Sequence, residues 1–432
     1  MRKYLCSVFS LLATACPLLA AEPNPAFTAA DLSRARGMLR MASEEVAKEF
    51  FDPARVSAEF RMRGETADKA MGEARSNGEA LLRIAQVFLD IGDSHTLFLP
   101  PSRMHDVKHH WDFHASGDGV YVTRVDKESD AEKKGLRLGD RVLAIDGMEP
   151  RPTDLFRLKY LLLALMPRPG MSVIVQAPGA APRRLDIAAE LIKGSRLREL
   201  NSSKGLYDLI TGIENEDQRN KSRFKELPGD LLVWSLRAFD DDKIAGGLRR
   251  ARGAKAVVLD LRGNPGGYVY SCQDMLRGFF ADDFPAYTEH LRDKTKEFKV
   301  NGRGTFTGPL FVLIDSQSSS ASEIFAKTVQ MRGRGVVLGE RSAGHVSTAK
   351  EYSLALGTGQ KFTGFGVSIT ISRLVMADGT NLERTGVSPD HVIIPTHEDL
   401  YLRRDPVLAR ALELAGYKTT PDEAGKYFPP LN

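Results

Sequence analysis

Five apolar residues in unbroken succession, Leu310-Phe311-Val312-Leu313-Ile314, constrain this chain more than any other stretch. A run of that length and composition reads as a buried strand. It leads into Asp315-Ser316-Gln317-Ser318-Ser319-Ser320-Ala321-Ser322-Glu323, after which Ile324, Phe325, Thr328 and Val329 recur at helical spacing. Gly333 and Gly335 end that helix, and Val336-Val337-Leu338 begins another strand. A strand, a sharp serine-rich turn and a helix set a hydroxyl beside free backbone N–H groups at the positive end of a helix dipole, which suits a nucleophile. A serine cap on a helix is the plainer reading of the same residues. Taken alone, the stretch favours the cap, and the rest of the chain decides between them.

The 432 residues suit two or three domains, and 42% hydrophobic with 27% charged residues is a globular composition. A formal net charge of +4 gives no reason to expect nucleic acid as a partner. Met1-Arg2-Lys3, an apolar Tyr4 to Ala15 and the small residues before Glu22 have the form of an export signal, cleaved after Ala20 or Ala21. Ala13-Thr14-Ala15-Cys16 is an alternative lipoprotein site, against which Pro17 argues. No second apolar run is long enough to span a membrane. The expected product is an exported protein, periplasmic or secreted. Cys272 is then the sole cysteine of the mature chain, so no internal disulfide is expected.

Residues 22–104 have a helical pattern, with Leu39, Ala42, Val46 and Phe50 in one run and Glu79 to Leu89 in another. The second runs into Gly92-Asp93-Ser94-His95-Thr96, where glycine stops the helix and a histidine follows between two hydroxyl residues. His105, His109, His110 and His114 cluster in the next segment. His110 and His114 would share a face if that segment were helical, but no fuller ligand set accompanies them, and a polar connector without metal is expected. Residues 116–192 alternate as a separate small unit, with strands at Gly119–Val125 and Ser172–Gln176 and a helix from Asp154 to Leu165. Residues 195–228 read as a polar linker with helical pieces. A strand, Ala254 to Arg262, then leads to Gly263-Asn264-Pro265-Gly266-Gly267, where paired glycines let backbone N–H groups approach a ligand. The Gly-Lys-Ser/Thr of a phosphate loop is missing, and no cofactor is expected.

The order Val-x-x-Val, Ala-x-x-x-Gly-Leu-x-x-Gly-Asp and Ile-Asp-Gly between Val122 and Gly147 resembles a bacterial protease PDZ domain, which implies capture of an extended peptide at a sheet edge. Four motifs around it resemble the C-terminal processing (tail-specific) peptidases and their tricorn relatives: Gly-Asp-Ser-His-Thr at 92–96, Asp-Leu-Arg-Gly-Asn-Pro-Gly-Gly at 260–267, Ser-Ser-Ser-Ala-Ser-Glu at 318–323 and Gly-Val-Ser-Pro-Asp at 386–390. The resemblance spans roughly residues 30–415. It implies an α/β multidomain fold: signal 1–21, helical region 22–104, inserted PDZ domain 105–194, crotonase-like serine peptidase core 195–399, and a helix and tail at 400–432. It also implies Ser320 as nucleophile, with an oxyanion hole from the Ala321 N–H and that of Gly266 or Gly267.

One position departs from the pattern. The processing peptidases carry a lysine base twenty-five residues after the serine, and His345 stands there instead. The tricorn-like branch uses a histidine preceded by serine, oriented by a glutamate ahead of the Gly-Val motif. Here those are Ser94, His95 and Glu383. Three readings of the base stay open at this stage: His95 with Glu383, His345, or none. The function expected is an exported serine endopeptidase acting on unfolded or C-terminal polypeptide segments. The alternative is a catalytically inactive peptide- or ligand-binding protein on the same fold, as in the family's retinoid-binding relatives.

Overall fold

The structure, a computed structural model, describes residues 27–103, 105–193, 222–358 and 361–428. The segment expected to be an export signal, with Cys6 and Cys16, lies outside the described residues.

Three helices come first: α1 (Ala29–Glu49), α2 (Ala58–Met71) and α3 (Asn77–Leu89). Thr28 and Ser76 cap α1 and α3, each accepting the N–H three residues on. Ala35, Leu39, Ala42 and Val46 bury one stripe of α1. These helices pack against β1 (Leu97–Leu99) and later strands through Phe88, Phe98, Phe365 and Val367.

The chain then leaves for a small unit through β2 (His105–Lys108) and returns through β8 (Glu190–Lys193), which pairs antiparallel with it. The unit itself contains β3 (Trp111–Ser116), β4 (Gly119–Val125), α4 (Asp130–Lys133), β5 (Arg141–Ile145), α5 (Leu155–Lys159), β6 (Gly170–Gln176) and β7 (Arg183–Ala188). Its five strands run in spatial order β3-β4-β5-β6-β7 around a core of their own. The four histidines fall on β2, on β3 and on the turn between them rather than on a helix, so His110 and His114 share no helix face. The backbone turns at His110, at φ 60°. His110 faces Asp126 and Glu190, and His114 faces Asp112.

The remaining strands are β9 (Arg223–Leu227), β10 (Leu231–Ser235), β11 (Ala256–Asp260), β12 (Phe284–Leu291), β13 (Thr295–Val300), β14 (Leu310–Ile314), β15 (Val336–Gly339), β16 (Ser347–Thr358), β17 (Lys361–Met376) and β18 (His391–Val392). The helices among and after them are α6 (Asp241–Ala251), α7 (Val269–Phe279), α8 (Ala321–Met331), α9 (His397–Leu402), α10 (Pro406–Leu414) and α11 (Pro421–Ala424). A six-stranded sheet has the order β18-β15-β14-β11-β10-β9. It is parallel except for β9, which pairs antiparallel with β10. Every residue of β10, β11 and β14 is buried, because α6, α7 and α8 cover one face while α10 and α11 cover the other. Burial on both faces is why these strands read as unbroken apolar runs. The strand β9 lies where a linker is expected from sequence. As the sheet's edge it exposes Lys225 and Glu226, and that charge hides its alternation. A second sheet, β1-β17-β12-β13 with β16 beside β17, brings the α3–β1 loop to the C-terminal ends of the parallel strands.

Candidate active site

Adjacent parallel strands β11 and β14 end side by side, so the loops that follow them must meet. Leu261 N–H donates to the Leu313 carbonyl at 2.9 Å, Gly263 N–H to Asp315 Oδ1 at 2.9 Å, and Ser319 N–H to the Asn264 carbonyl at 3.0 Å. Ser319 Oγ also donates to the Pro265 carbonyl, and Ser322 Oγ to that of Asn264. Among those serines, Ser320 is the one held in an unusual backbone conformation, φ 55° and ψ −116°, at the position preceding α8. A residue so held costs of order 1–3 kcal/mol and persists where its surroundings over-determine it. Here they do. Ser320 N–H is shared between the His345 carbonyl at 2.9 Å and Glu323 Oε2 at 3.0 Å.

Glu323 is a buried hub. Its carboxylate accepts from Ser342 Oγ at 2.6 Å, Gly344 N–H at 2.8 Å, His345 N–H at 2.9 Å and Ser320 N–H. Burial pushes its pKa up to about 7 while these four donors pull the other way. The motif spacing Ser320-x-x-Glu323 is that of a capping box, a sequence signal that could have marked Glu323 in advance.

Gly266 stands directly over this turn. A Cβ there would lie 2.7 Å from the Ser320 Cβ and 3.1 Å from the Ala321 nitrogen. Its own N–H is already donated to Asn264 Oδ1 at 2.8 Å. Gly267 is exposed, at φ 145°, and is held from either side by Phe239 N–H to the Gly266 carbonyl and Tyr268 N–H to the Phe239 carbonyl.

The α3–β1 loop supplies Ser94 and His95. Asp93 Oδ1 gathers the N–H groups of His95 and Thr96 and the hydroxyl of Thr370 from β17, which fixes the loop. Glu383 reaches it from the turn after β17. Its Oε1 accepts Ser94 N–H at 2.9 Å, and its Oε2 accepts Ser94 Oγ at 3.1 Å, Val346 N–H at 2.9 Å and Ser347 Oγ at 3.1 Å. Ser94 Oγ lies 2.6 Å from His95 Nδ1. A hydroxyl has one proton. If Ser94 donates it to Glu383, then His95 Nδ1 carries the hydrogen and donates to Ser94, which leaves the Nε2 lone pair as proton acceptor. Burial lowers the His95 pKa, opposed by Glu383 and Asp93, so its imidazole is neutral near pH 7. His345 is pushed down to about 4, first by burial and then by His95 nearby. Its ring meets the edge of Phe156 from α5, with centroids 5.7 Å apart.

Glu383 thus touches both the Ser94–His95 pair and the residue after His345, and the His345 carbonyl holds the backbone of Ser320. The motifs at 92–96, 260–267, 318–323 and 386–390 converge on one end of the sheet. Asp93 and Glu323 lie within those motifs without a role assigned to them from sequence, and Ser347 and Phe156 join from outside them. A cavity of about 450 Å³ is lined by Arg237, Arg262, Asp315 and Glu340 together with β3 and β4, and it includes neither Ser320 nor His95. Among the described residues, no three metal-ligating side chains are gathered together. No helix among them is long and apolar enough to cross a membrane.

Residues 232–393 match the family model of peptidase family S41. Over that region the chain is similar to the family S41 peptidases. It is 24% identical over 266 residues to a carboxyl-terminal-processing protease of Synechocystis sp. (strain ATCC 27184 / PCC 6803 / Kazusa), covering 61% of this chain and 57% of that one. It is 30% identical over 266 residues to the carboxy-terminal processing protease CtpA of Bacillus subtilis (strain 168), covering 61% of this chain and 51% of that one. It therefore spans little more than half the length of these relatives. The fold is similar to that in the crystal structure of mature CPAF, with a TM-score of 0.63 at 13% identity over 86% of this chain and 94% of the other.

Proposed function

We propose that this chain is an exported serine endopeptidase that cleaves unfolded or C-terminal polypeptide segments through an acyl-enzyme. Ser320 is the nucleophile and His95 the base, with Ser94 relaying between His95 and Glu383. The single observation that carries the reading is the bond sequence Glu383–Ser94–His95, at 3.1 and 2.6 Å, joined to the loop that holds Ser320. A carboxylate placed this way fixes the imidazole tautomer and stabilises the imidazolium once His95 has taken the Ser320 proton. The tetrahedral oxyanion then forms beside the N–H groups of Ala321 and Gly267, since that of Gly266 is engaged. His95 returns the proton to the leaving amine, and a water repeats the sequence on the acyl-serine. This is the tricorn-like arrangement, which His345 in place of lysine favours. The unit at 105–194 acts as a PDZ domain that presents polypeptide to the core. Names of the relatives support the substrate class, and the N-terminal signal pattern supports export.

The test compares wild type, Ser320→Ala, His95→Ala and His345→Ala for turnover of an unfolded protein and labelling by a fluorophosphonate. Labelling is expected to vanish in the first two variants and survive in His345→Ala. Equal turnover by wild type and Ser320→Ala would point instead to a binding protein on the same fold, and loss in His345→Ala alone would transfer the base to His345.

A further inference from the structure

Glu383 turns inward to Ser94, whereas Arg384, the next residue, is exposed. The Arg384 backbone is held in place. Its N–H donates to the Gly344 carbonyl at 2.7 Å, and the N–H groups of Thr385 and Gly386 both return to the Leu382 carbonyl, at 3.0 and 2.9 Å. Like Ser320 it is a non-glycine residue at positive φ, here 65°. That conformation costs about 1–2 kcal/mol for a residue with a Cβ, and such outliers gather at functional sites. The guanidinium lies across the α3–β1 loop. A Cβ at Gly92 would stand 3.4 Å from Arg384 Nη2 and 3.7 Å from both Cζ and Nη1. Distances so nearly equal mean that the planar group lies flat over Gly92, with its N–H edges directed sideways. His345, lowered first by burial, is lowered further by His95 and by the Arg384 charge, which places that charge near the ring.

An exposed arginine is ordinarily a solvated surface residue. This one differs in its position and in what surrounds it. Among the described residues its side chain forms no hydrogen bond or ion pair. The carboxylates of the site are committed elsewhere: Glu383 to Ser94, Val346 and Ser347, and Asp93 Oδ1 to His95, Thr96 and Thr370. Arg262, by contrast, is paired with both Asp260 and Asp405. A guanidinium offers five N–H donors in a fixed fork that matches a carboxylate. We propose that Arg384 is a specificity-determining residue that receives a carboxylate of the bound polypeptide. It stands between the loop that carries His95 and the Gly344–His345 backbone that holds Ser320, so a chain at Ser320 passes within its reach. An aspartate or glutamate side chain and a chain terminus present the same two oxygens, and the experiment separates them. The inference rests on the peptidase reading above.

Reduced, carbamidomethylated lactalbumin is first digested with wild type to find the bond cut most. That sequence is then made as end-blocked peptides with Glu, Gln or Lys at successive positions on either side of the bond, and as a shortened peptide ending in a free carboxylate or an amide. Wild type is expected to favour Glu over Gln at one of these positions, or the free end over the amide, by about tenfold in kcat/KM, mainly through KM. In Arg384→Gln that preference should fall to about twofold or less, and Arg384→Lys should keep part of it, because the charge remains without the fork. Arg384→Glu should reverse the order and favour Lys, which a misfolded variant would not do. Each comparison is a ratio within one enzyme, so a change in the active fraction cancels. A wild-type preference that survives intact in Arg384→Gln would overturn the assignment, as would indifference of wild type to all of these changes. Absence of both cleavage and fluorophosphonate labelling in wild type would instead sink the peptidase reading, and this inference with it.

Discussion

The closeness of the glycine loop to the Ser320 turn is open to a quantitative test by Gly266→Ala. The added Cβ would stand 2.7 Å from the Ser320 Cβ, 3.0 Å from the Ser319 carbonyl oxygen and 3.1 Å from the Ala321 nitrogen. Ordinary carbon contacts begin near 3.4 Å, so the loop and the turn must separate by about 0.7 Å. Neither side yields easily, since the hydrogen bonds of Asn264, Pro265 and Phe239 tie the loop down. Alanine also has to adopt φ 103°. Backbone strain of about 1–3 kcal/mol and overpacking of about 1–3 kcal/mol give a destabilisation of about 2–6 kcal/mol. Displacing a reacting group by nearly an ångström costs about a hundredfold in rate. Gly229→Ala is the matched control, since that glycine has φ 83° and nothing within 4 Å of its added Cβ. It should lose only about 1–2 kcal/mol, from backbone conformation, with no loss of rate. Urea unfolding and the rate of fluorophosphonate labelling read the two effects. Labelling of Gly266→Ala within about threefold of wild type would show that the loop does not press on Ser320 as described.

Two further outcomes follow from the histidine. Ser94→Ala removes the oxygen between His95 and Glu383 while Ser94's backbone bond to Glu383 remains, so kcat/KM should fall by about 10- to 1,000-fold with little change in Tm, and an unchanged rate would remove Ser94 from the relay. Burial holds the His95 pKa below its ordinary 6.5, so the imidazole is neutral above that pH and is protonated only as pH falls further, which is the form the proposed base needs. A plot of kcat/KM against pH should therefore be level near pH 7 and decline on the acid side with a midpoint below 6.5. A midpoint above 7 would contradict the burial that lowers it, and one near 4 surviving in His95→Ala would identify His345.

Much of this was legible in the residues. The unbroken run Leu310–Ile314 forms a strand with those bounds because α8 and α10 cover its two faces. The strand β4 also falls where its pattern places it. Charge concealed β9 at the sheet edge, and the histidine segment expected as a polar connector carries β2 and the start of β3, which pairs with β4.

The opening stretch alone determined that a hydroxyl-rich turn would sit between a buried strand and a helix. Sequence also supplied the motif set, since Ser94, His95, Gly267, Ser320 and Glu383 each stand in a short pattern of glycines and polar residues that needs no partner to be read. Which of these residues touch was decided by tertiary structure alone. The separation of 289 positions between Ser94 and Glu383 vanishes as a distance only because β1 pairs with β17, setting the α3–β1 loop beside the turn that carries Glu383. The two histidines differ for the same reason. Packing sets His345 edge-on to Phe156, while its backbone carbonyl holds Ser320. His95 meets a hydroxyl that leads on to a carboxylate, a distinction of burial and hydrogen bonding that no residue carries in its name.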